Sequence, residues 1–328
     1  NEFNRVTGGG LIKDSVTILT SPPGGGKSTL ALAVANDIAT QGFNVLYSSG
    51  EESYTQVKGR ADRILGEINE RLWIISTNSL DDVLTASKDI DPDLIIIDSI
   101  QTFALAELLP ARAGNPVQTM GCAVELTRLA KQEKRKRAVI IIGQTNKNDE
   151  LAGLRSLEHL VDTVLIMESE NNEELRGITA TKNRFGSTGE VGFFAMTENG
   201  LKSIDNPSEF FVTNRKGMKK LIPGSAITVV REGTRPIVSE IESLVSSSFT
   251  PYPSRISDTM KKEQLNTLVS VMEQRCGINL FDKNVVIKST GGIKLKEPSV
   301  NLAVIMSIAS SYYNKSIPDD CVFIADVG

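Results

Sequence analysis

The chain has 328 residues, of which 40% are hydrophobic and 23% charged, and its net charge is −4. These values are typical of a soluble protein of about two domains and exclude a surface coated in positive charge, although not a local basic channel. Three cysteines without a CxxC pair exclude a zinc knuckle and favour a cytoplasmic location, and no apolar run approaches the roughly 18 residues of a membrane span.

The first predicted unit is a strand, a loop and a helix in SVTILTSPPGGGKSTLALAVANDIATQG. Apolar residues recur at helical spacing after three glycines, a context that predicts a P-loop rather than a ligand-free glycine turn. Lys27 is expected to reach the β and γ phosphates, and Ser28 to hold Mg²⁺. Ser21 stands where the pattern GxxxxGK[ST] has Gly. The predicted nucleotide-binding residues are Pro23, Gly24, Gly25, Gly26, Lys27, Ser28 and Thr29.

Polar side chains follow three further predicted strands. Asp98 ends the strand in DLIIIDSIQT, where it is either a ligand for the water shell of Mg²⁺ or a helix N-cap. Glu51 and Glu52 follow the strand in VLYSSGEES, as a base for the attacking water or as a solvated acidic loop. Gln144 ends AVIIIGQ and is expected to sense the γ-phosphate. Alternating strands and helices predict an α/β fold with a parallel sheet covered on both faces.

Two basic segments come next. The run from Lys131 to Arg137 is a candidate phosphate-binding patch, although a solvated helix end is the simpler interpretation. Lys182 and Arg184 precede a Phe-Gly turn in GITATKNRFGSTGEVG, where residue types alone favour a solvated hairpin end. His159 is expected to be a packed helix residue and not a catalyst.

A polar, turn-rich stretch predicts a domain boundary near residue 206. We expect an ATPase domain at 1–206, a linker at 207–223 and an α+β domain at 224–328. The chain begins without Met and ends in VFIADVG just after an apolar run, so we expect the second domain to be cut short.

Several segments carry a family resemblance, and they occur in the family's order. NRVTGGGL, YSSGEES, IIIDSIQT, LEHLVDTVL and KNRFGSTGEVGFFAM together resemble the bacterial RadA/Sms family of RecA-like recombination ATPases. REGTRPIVSEIESLV and GGIKLKEPSVNLAVIMSIASS resemble that family's Lon-protease-like C-terminal domain. The resemblance covers essentially the whole chain and implies a RecA-like P-loop NTPase core followed by an α+β Lon-like domain.

The resemblance also implies a function. Family members are homo-hexameric rings that bind ATP and Mg²⁺ at subunit interfaces, bind single-stranded and branched DNA, and promote branch migration, with a RecA recombinase as a further partner. Lys27, Ser28 and Asp98 match the nucleotide site, and Glu51 is the catalytic carboxylate because it matches the first Glu of SGEES. The match of Lys182 and Arg184 to the KNR motif implies that they reach the neighbouring subunit's site. Candidate DNA contacts on the loops after Asp98 and Gln144 are Arg112, Lys147 and Arg155.

The chain departs from the family pattern in places. We expect the four-cysteine zinc module that usually precedes NRVTGGG in the family to be missing. Gln144 stands where the family usually has His, and Met120 and Gly121 replace an Arg-Glu pair near a predicted DNA loop. A RecA-like regulatory ATPase that acts on protein partners is therefore the alternative function. A protease ranks below both, because Ser299 lacks the glycine turn that flanks a Lon nucleophile.

Overall fold

A computed structural model describes residues 1–144, 156–169, 174–213, 222–318 and 320–327. The described residues divide into two compact units, the first ending at Asp205 and the second beginning at Asn206. In these ranges, every helix is too short or too polar to cross a membrane.

The first unit is built on one sheet, to which the described residues contribute nine strands in the order β3-β2-β4-β5-β1-β6-β7-β8-β9. The strands are β1 (Val16–Ser21), β2 (Val45–Ser49), β3 (Leu72–Ser76), β4 (Leu94–Asp98), β5 (Ala138–Gln144), β6 (Thr163–Ser169), β7 (Leu175–Asn183), β8 (Val191–Thr197) and β9 (Gly200–Ser203). The helices are α1 (Glu2–Thr7), α2 (Lys27–Thr40), α3 (Tyr54–Leu65), α4 (Leu80–Ile90) and α5 (Pro116–Ala130).

Strands β1 to β6 pair in parallel, as the sequence predicts, but β7, β8 and β9 are antiparallel additions. The difference follows from the connections. A parallel neighbour needs a crossover of about a dozen residues or more, whereas β6 to β9 follow one another too closely for a helix to intervene. The sheet is therefore mixed at one side.

Helices cover both faces of the parallel strands because alternate apolar residues point to opposite faces. On one face, Leu19 and Ile96 share a core with Leu30 of α2. On the other face, Ile97 and Leu46 share a core with Leu126 of α5. Helix starts follow local capping chemistry: the Ser53 hydroxyl accepts a hydrogen bond from the Gln56 amide in a capping box, and the Asn115 side chain caps α5.

The second unit combines a smaller sheet with two long helices. Its described residues form a four-stranded sheet in the order β10-β11-β13-β12, which is antiparallel except for the β12–β13 pair. The elements are β10 (Ser225–Glu232), β11 (Arg235–Ser247), β12 (Arg255–Ser257), α6 (Lys262–Cys276), β13 (Lys283–Ser289) and α7 (Asn301–Tyr313). The sheet and helices match the predicted α+β class.

Candidate active site

The loop after β1 has the backbone geometry that a phosphate cradle requires. Gly24 and Gly26 have φ of 76° and 99°, values that L side chains rarely adopt. A Cβ built at Gly25 would lie 2.2 Å from the hydroxyl oxygen of Ser21. Helix α2 begins at Lys27 without a side-chain cap, so its first amides are available to an anion.

Ser21, the departure from the P-loop pattern, is part of this cradle. It is fully buried, and its hydroxyl donates to the Pro22 carbonyl at 2.8 Å and accepts from Lys27 Nζ at 3.0 Å. The hydroxyl occupies the space against Gly25. Serine is accommodated here because Gly25 has no side chain.

Lys27 lies folded against the loop. Its ammonium donates to the carbonyls of Ser21 at 2.9 Å and Pro22 at 3.3 Å. Burial lowers the pKa of Lys27 below its usual value, and the Asp98 and Glu51 carboxylates oppose that shift. A cation with neutral hydrogen-bond partners and two nearby carboxylates is suited to bind the phosphates of a metal–nucleotide complex.

The carboxyl ends of the parallel strands bring the other predicted residues to the same edge of the sheet. Ser21 pairs with Gln144 across β1 and β5, and Ser49 pairs with Asp98 across β2 and β4. Glu51 lies two residues after the end of β2, so the site residues come from the ends of four neighbouring strands.

The two acidic residues after β2 have different environments. Glu51 accepts hydrogen bonds from the Ser99 hydroxyl at 2.5 Å and from the Gln144 amide at 2.9 Å. Glu52 instead forms an ion pair with Arg60. The carboxylate that faces the site is therefore Glu51, the residue that the SGEES match favours.

Asp98 lies at the end of β4 and is buried. The Tyr47 hydroxyl donates a hydrogen bond to its Oδ2 atom. Burial, reinforced by the Asp98 carboxylate, raises the pKa of Tyr47 well above its usual value.

These residues fit a nucleotide with Mg²⁺. The side chains of Ser28 and Asp98 offer oxygen atoms, the ligands that a hard cation prefers. Among the described residues no group of three or more His, Cys, Asp or Glu side chains is arranged as a metal site. Mg²⁺ beside phosphates uses one or two protein oxygens and keeps several waters, so this donor set is adequate.

Lys182 and Arg184 lie at the opposite edge of the same sheet. The end of β7 pairs with the start of β6, and β6 runs parallel to β1. The Arg184 guanidinium contacts Asp162 at 3.1 Å, and the other oxygen of Asp162 accepts from the Val16 amide at 3.0 Å. Strand β1 has six residues, which separate its ends by about 17 Å at about 3.3 Å per residue. Arg184 therefore cannot reach the P-loop of the same chain.

The turn after Lys182 is held by the N-terminal TGGG segment. Asn183 donates to the Thr7 carbonyl at 3.2 Å and accepts from the Phe185 amide at 3.0 Å. A Cβ at Gly186 would approach the Gly8 Cα to 3.1 Å. The two glycine-containing motifs thus pack directly on each other, which sequence order alone did not indicate.

Comparison with known proteins decides the family. An AAA domain family matches residues 2–150. The chain is 41% identical over 328 residues to the DNA repair protein RadA of Bacillus subtilis, covering all of this chain and 70% of that relative. The chain belongs to the RadA family of DNA repair proteins. It is also 40% identical over 328 residues to the RadA proteins of Streptococcus pyogenes serotype M3 and Streptococcus pneumoniae, covering 71% and 76% of their lengths. The AAA-type P-loop core of this RadA family member implies nucleotide binding.

Acidic residues of the same chain neutralise most of the basic run of this RadA family member. Lys131 contacts Asp162 at 3.0 Å, and Lys136 contacts Asp14 at 2.7 Å. Arg135 and Arg137 both contact Asp91, at 2.8 and 2.9 Å. The structural interpretation of this run is therefore favoured over a phosphate-binding patch.

The predicted DNA loop after Asp98 is partly closed by Gln118. This fully buried amide accepts from the Leu105 amide at 2.8 Å and donates to the Ala111 carbonyl at 2.9 Å. A Cβ at Gly121 would meet Leu108 at 2.3 Å, so the glycine that departs from the family pattern lets α5 approach the loop. Arg112 is exposed on this loop.

Lys147 and Arg155, the other two candidate DNA contacts, lie outside the described residues. His159 is exposed in a turn rather than packed in a helix, which corrects its predicted environment. The helical segment ends before it, so no core surrounds the imidazole.

Ser299 has an environment unlike that of an activated nucleophile. Among described residues, its hydroxyl has one hydrogen bond, a long one of 3.5 Å to Glu297. A serine nucleophile needs a neighbouring base that can accept its proton, such as an uncharged lysine amine.

Replacing Ser299 with alanine is expected to change neither peptide hydrolysis nor ATP hydrolysis, because the hydroxyl's contact is weak. The free energy of unfolding should change by less than about 0.5 kcal/mol. Casein and fluorogenic-peptide assays with ATP and Mg²⁺ test this. Peptide cleavage by the unmodified chain that disappears in Ser299→Ala would establish a protease instead.

Four site residues escaped the sequence analysis: Tyr47, Ser99, Asp162 and Arg176. The first three hold Asp98, Glu51 and Arg184, respectively. Buried Arg176 donates to the Gly25 carbonyl at 3.2 Å. Each of the four contacts a residue that is distant in sequence. The sequence alone therefore shows only a polar residue in or beside an apolar segment.

Proposed function

We propose that this chain is an ATP-hydrolysing motor of DNA repair and recombination. It acts as a ring that binds single-stranded and branched DNA and promotes branch migration. The observation that carries the proposal is the position of the two halves of the site. The P-loop with Glu51 lies at one edge of the sheet, and Arg184 lies at the other. A neighbouring subunit is needed to bring Arg184 to a P-loop.

Each residue then has a role in hydrolysis. Lys27, the α2 amides and the Gly25 loop bind the phosphates of ATP, and Ser28 with Asp98 holds Mg²⁺. The bound Mg²⁺ supplies positive charge that offsets the charge of the phosphates. Glu51 orients the attacking water and accepts its proton, while Ser99 and Gln144 fix the carboxylate through hydrogen bonds.

Arg184 completes the site in trans. Its side chain is 53% exposed, whereas that of Asp162 is 3% exposed. A buried carboxylate thus anchors a guanidinium that remains accessible to a neighbour. Arginine fingers of this kind contribute on the order of 10³–10⁵ in rate. Hydrolysis in this arrangement depends on assembly, with a homo-hexameric ring as the proposed form.

Fewer structural observations support DNA binding than support ATP hydrolysis. Its relatives are named DNA repair proteins, which supports DNA binding, and exposed Arg112 offers a phosphate contact. Internal pairing of the basic run from Lys131 to Arg137 removes one candidate DNA surface. That observation favours the second candidate function, a regulatory ATPase that acts on protein partners such as a recombinase.

Single-stranded DNA separates the two functions. We expect an oligonucleotide to stimulate ATP hydrolysis several-fold, and added salt to weaken the stimulation because phosphate contacts release counterions. Arg112→Ala should lose part of the stimulation. Arg128→Ala is the matched control, because Arg128 is exposed and pairs only with Glu125 of the same helix among the described residues. A rate of ATP hydrolysis that is the same with and without DNA at every salt concentration would favour the regulatory ATPase.

A further inference from the structure

Tyr47 is a buried tyrosine whose hydroxyl reaches the active site. It is the third residue of β2, and its side chain is fully buried in the core beside α2 and α3. Residues two apart in a strand face the same side of a sheet, so Tyr47 shares a face with Ser49, the register partner of Asp98. This places the phenol beneath the carboxylate at the end of β4.

The Tyr47 hydroxyl provides a hydrogen bond that the aromatic ring alone could not. A phenylalanine would fill the same apolar space, whereas a buried hydroxyl without a partner costs free energy. Here the hydroxyl donates to Asp98 Oδ2. A tyrosine phenol is protonated at neutral pH, so the hydroxyl acts as the donor in this contact.

The hydrogen bond makes the two oxygens of Asp98 unequal. Oδ2 is engaged by Tyr47, and in the part of the chain that the structure describes this is the one hydrogen bond to the carboxylate. Oδ1 therefore remains for the cation and its waters. A group that hydrogen-bonds to a metal-binding side chain fixes its orientation. Loss of such a group typically costs about 10–100-fold in metal affinity or activity.

We propose that Tyr47 is a positioning residue for the Mg²⁺ site: its hydroxyl fixes Asp98 so that Oδ1 faces the cation. The inference rests on the proposed ATP hydrolysis. It also links the cation to the water-activating residue, because Asp98 is followed by Ser99, whose hydroxyl holds Glu51 at 2.5 Å. A carboxylate that rotates freely would weaken cation binding before it weakened binding of the nucleotide itself.

The test measures cation binding directly. Mn²⁺ replaces Mg²⁺ and is titrated by electron paramagnetic resonance into protein saturated with adenylyl imidodiphosphate. Tyr47→Phe should weaken Mn²⁺ binding about tenfold. Metal-free binding of a fluorescent ADP, measured in EDTA, should stay within about twofold, since the P-loop and Lys27 are intact.

Three further variants sharpen the result. Asp98→Asn should weaken Mn²⁺ binding at least as much as Tyr47→Phe. The double variant should bind Mn²⁺ no more weakly than Asp98→Asn, because Tyr47 acts only through the Asp98 carboxylate that this substitution already removes. Tyr252→Phe is the matched control, because Tyr252 is 88% exposed in the second unit. It should bind Mn²⁺ like the unmodified protein.

The outcomes distinguish this inference from the proposed function. Unchanged Mn²⁺ affinity in Tyr47→Phe overturns the positioning role, even if the variant unfolds at a lower temperature. An equal loss of ADP and Mn²⁺ binding also overturns it, because it indicates general damage to the site. If the unmodified protein does not bind nucleotide, and binds no additional Mn²⁺ when nucleotide is present, the proposed ATPase site itself is wrong.

Discussion

Lys27→Ala is expected to abolish ATP hydrolysis while the first unit stays folded. The ammonium lies within the loop, where it donates to the Ser21 and Pro22 carbonyls. Removing a single preorganised donor to a developing charge typically costs about 10²–10³-fold in rate. Stability should change little, because losing these hydrogen bonds is offset by no longer burying a charge.

Phosphate release and circular dichroism together measure this result. Lys58→Ala is the matched control, since Lys58 is exposed on α3 and pairs with Asp62 of the same helix at 2.9 Å. It should keep full turnover, because Lys58 lies outside the P-loop and its exposed ion pair contributes little to stability. Turnover that survives Lys27→Ala would show that the P-loop is not the hydrolytic site.

Arg184→Ala is expected to retain nucleotide binding and to lose turnover by on the order of 10³-fold. Nucleotide binding is retained because the P-loop of the same subunit lies about 17 Å away along β1. Turnover is lost because the guanidinium acts on charge that develops only in the transition state. Asp162 keeps Lys131 and the Val16 amide as partners, so the loss of stability should be about 1 kcal/mol or less.

Fluorescent-nucleotide binding and steady-state kinetics separate these effects. A fall in kcat without a rise in the dissociation constant is the expected pattern. Arg128→Ala, an exposed arginine paired within α5, should change neither quantity. If Arg184→Ala weakens binding and turnover alike, the arginine has a structural role within its own subunit.

Local patterns were enough to predict the P-loop and the strand-end residues. A strand, a glycine loop and a helix are contiguous in sequence, so their chemistry is visible there. The ends of parallel strands meet at one edge of a sheet, which is why Glu51, Asp98 and Gln144 could be grouped before the structure was known. Their hydrogen bonds agree with that grouping.

Long-range pairing could not be predicted in the same way. In sequence, the run from Lys131 to Arg137 resembles a phosphate-binding patch. In the structure, Asp14, Asp91 and Asp162 form ion pairs with it, and no local sequence rule indicates which acidic residues will do so. Likewise, no local rule indicates that the buried Gln118 amide accepts a hydrogen bond from the Leu105 backbone. The antiparallel strands after β6 depended on connection length, which outweighed the α/β alternation earlier in the chain.

If one hydrolytic site is built from two subunits, mixing Arg184→Ala with Lys27→Ala should restore activity. Each variant alone should be inactive. In rings mixed at random from equal amounts, about a quarter of the interfaces pair an intact P-loop from one variant with an intact Arg184 from the other. Phosphate release should therefore reappear on mixing. If cross-linking confirms mixed rings and no activity returns, Arg184 does not act across a subunit interface.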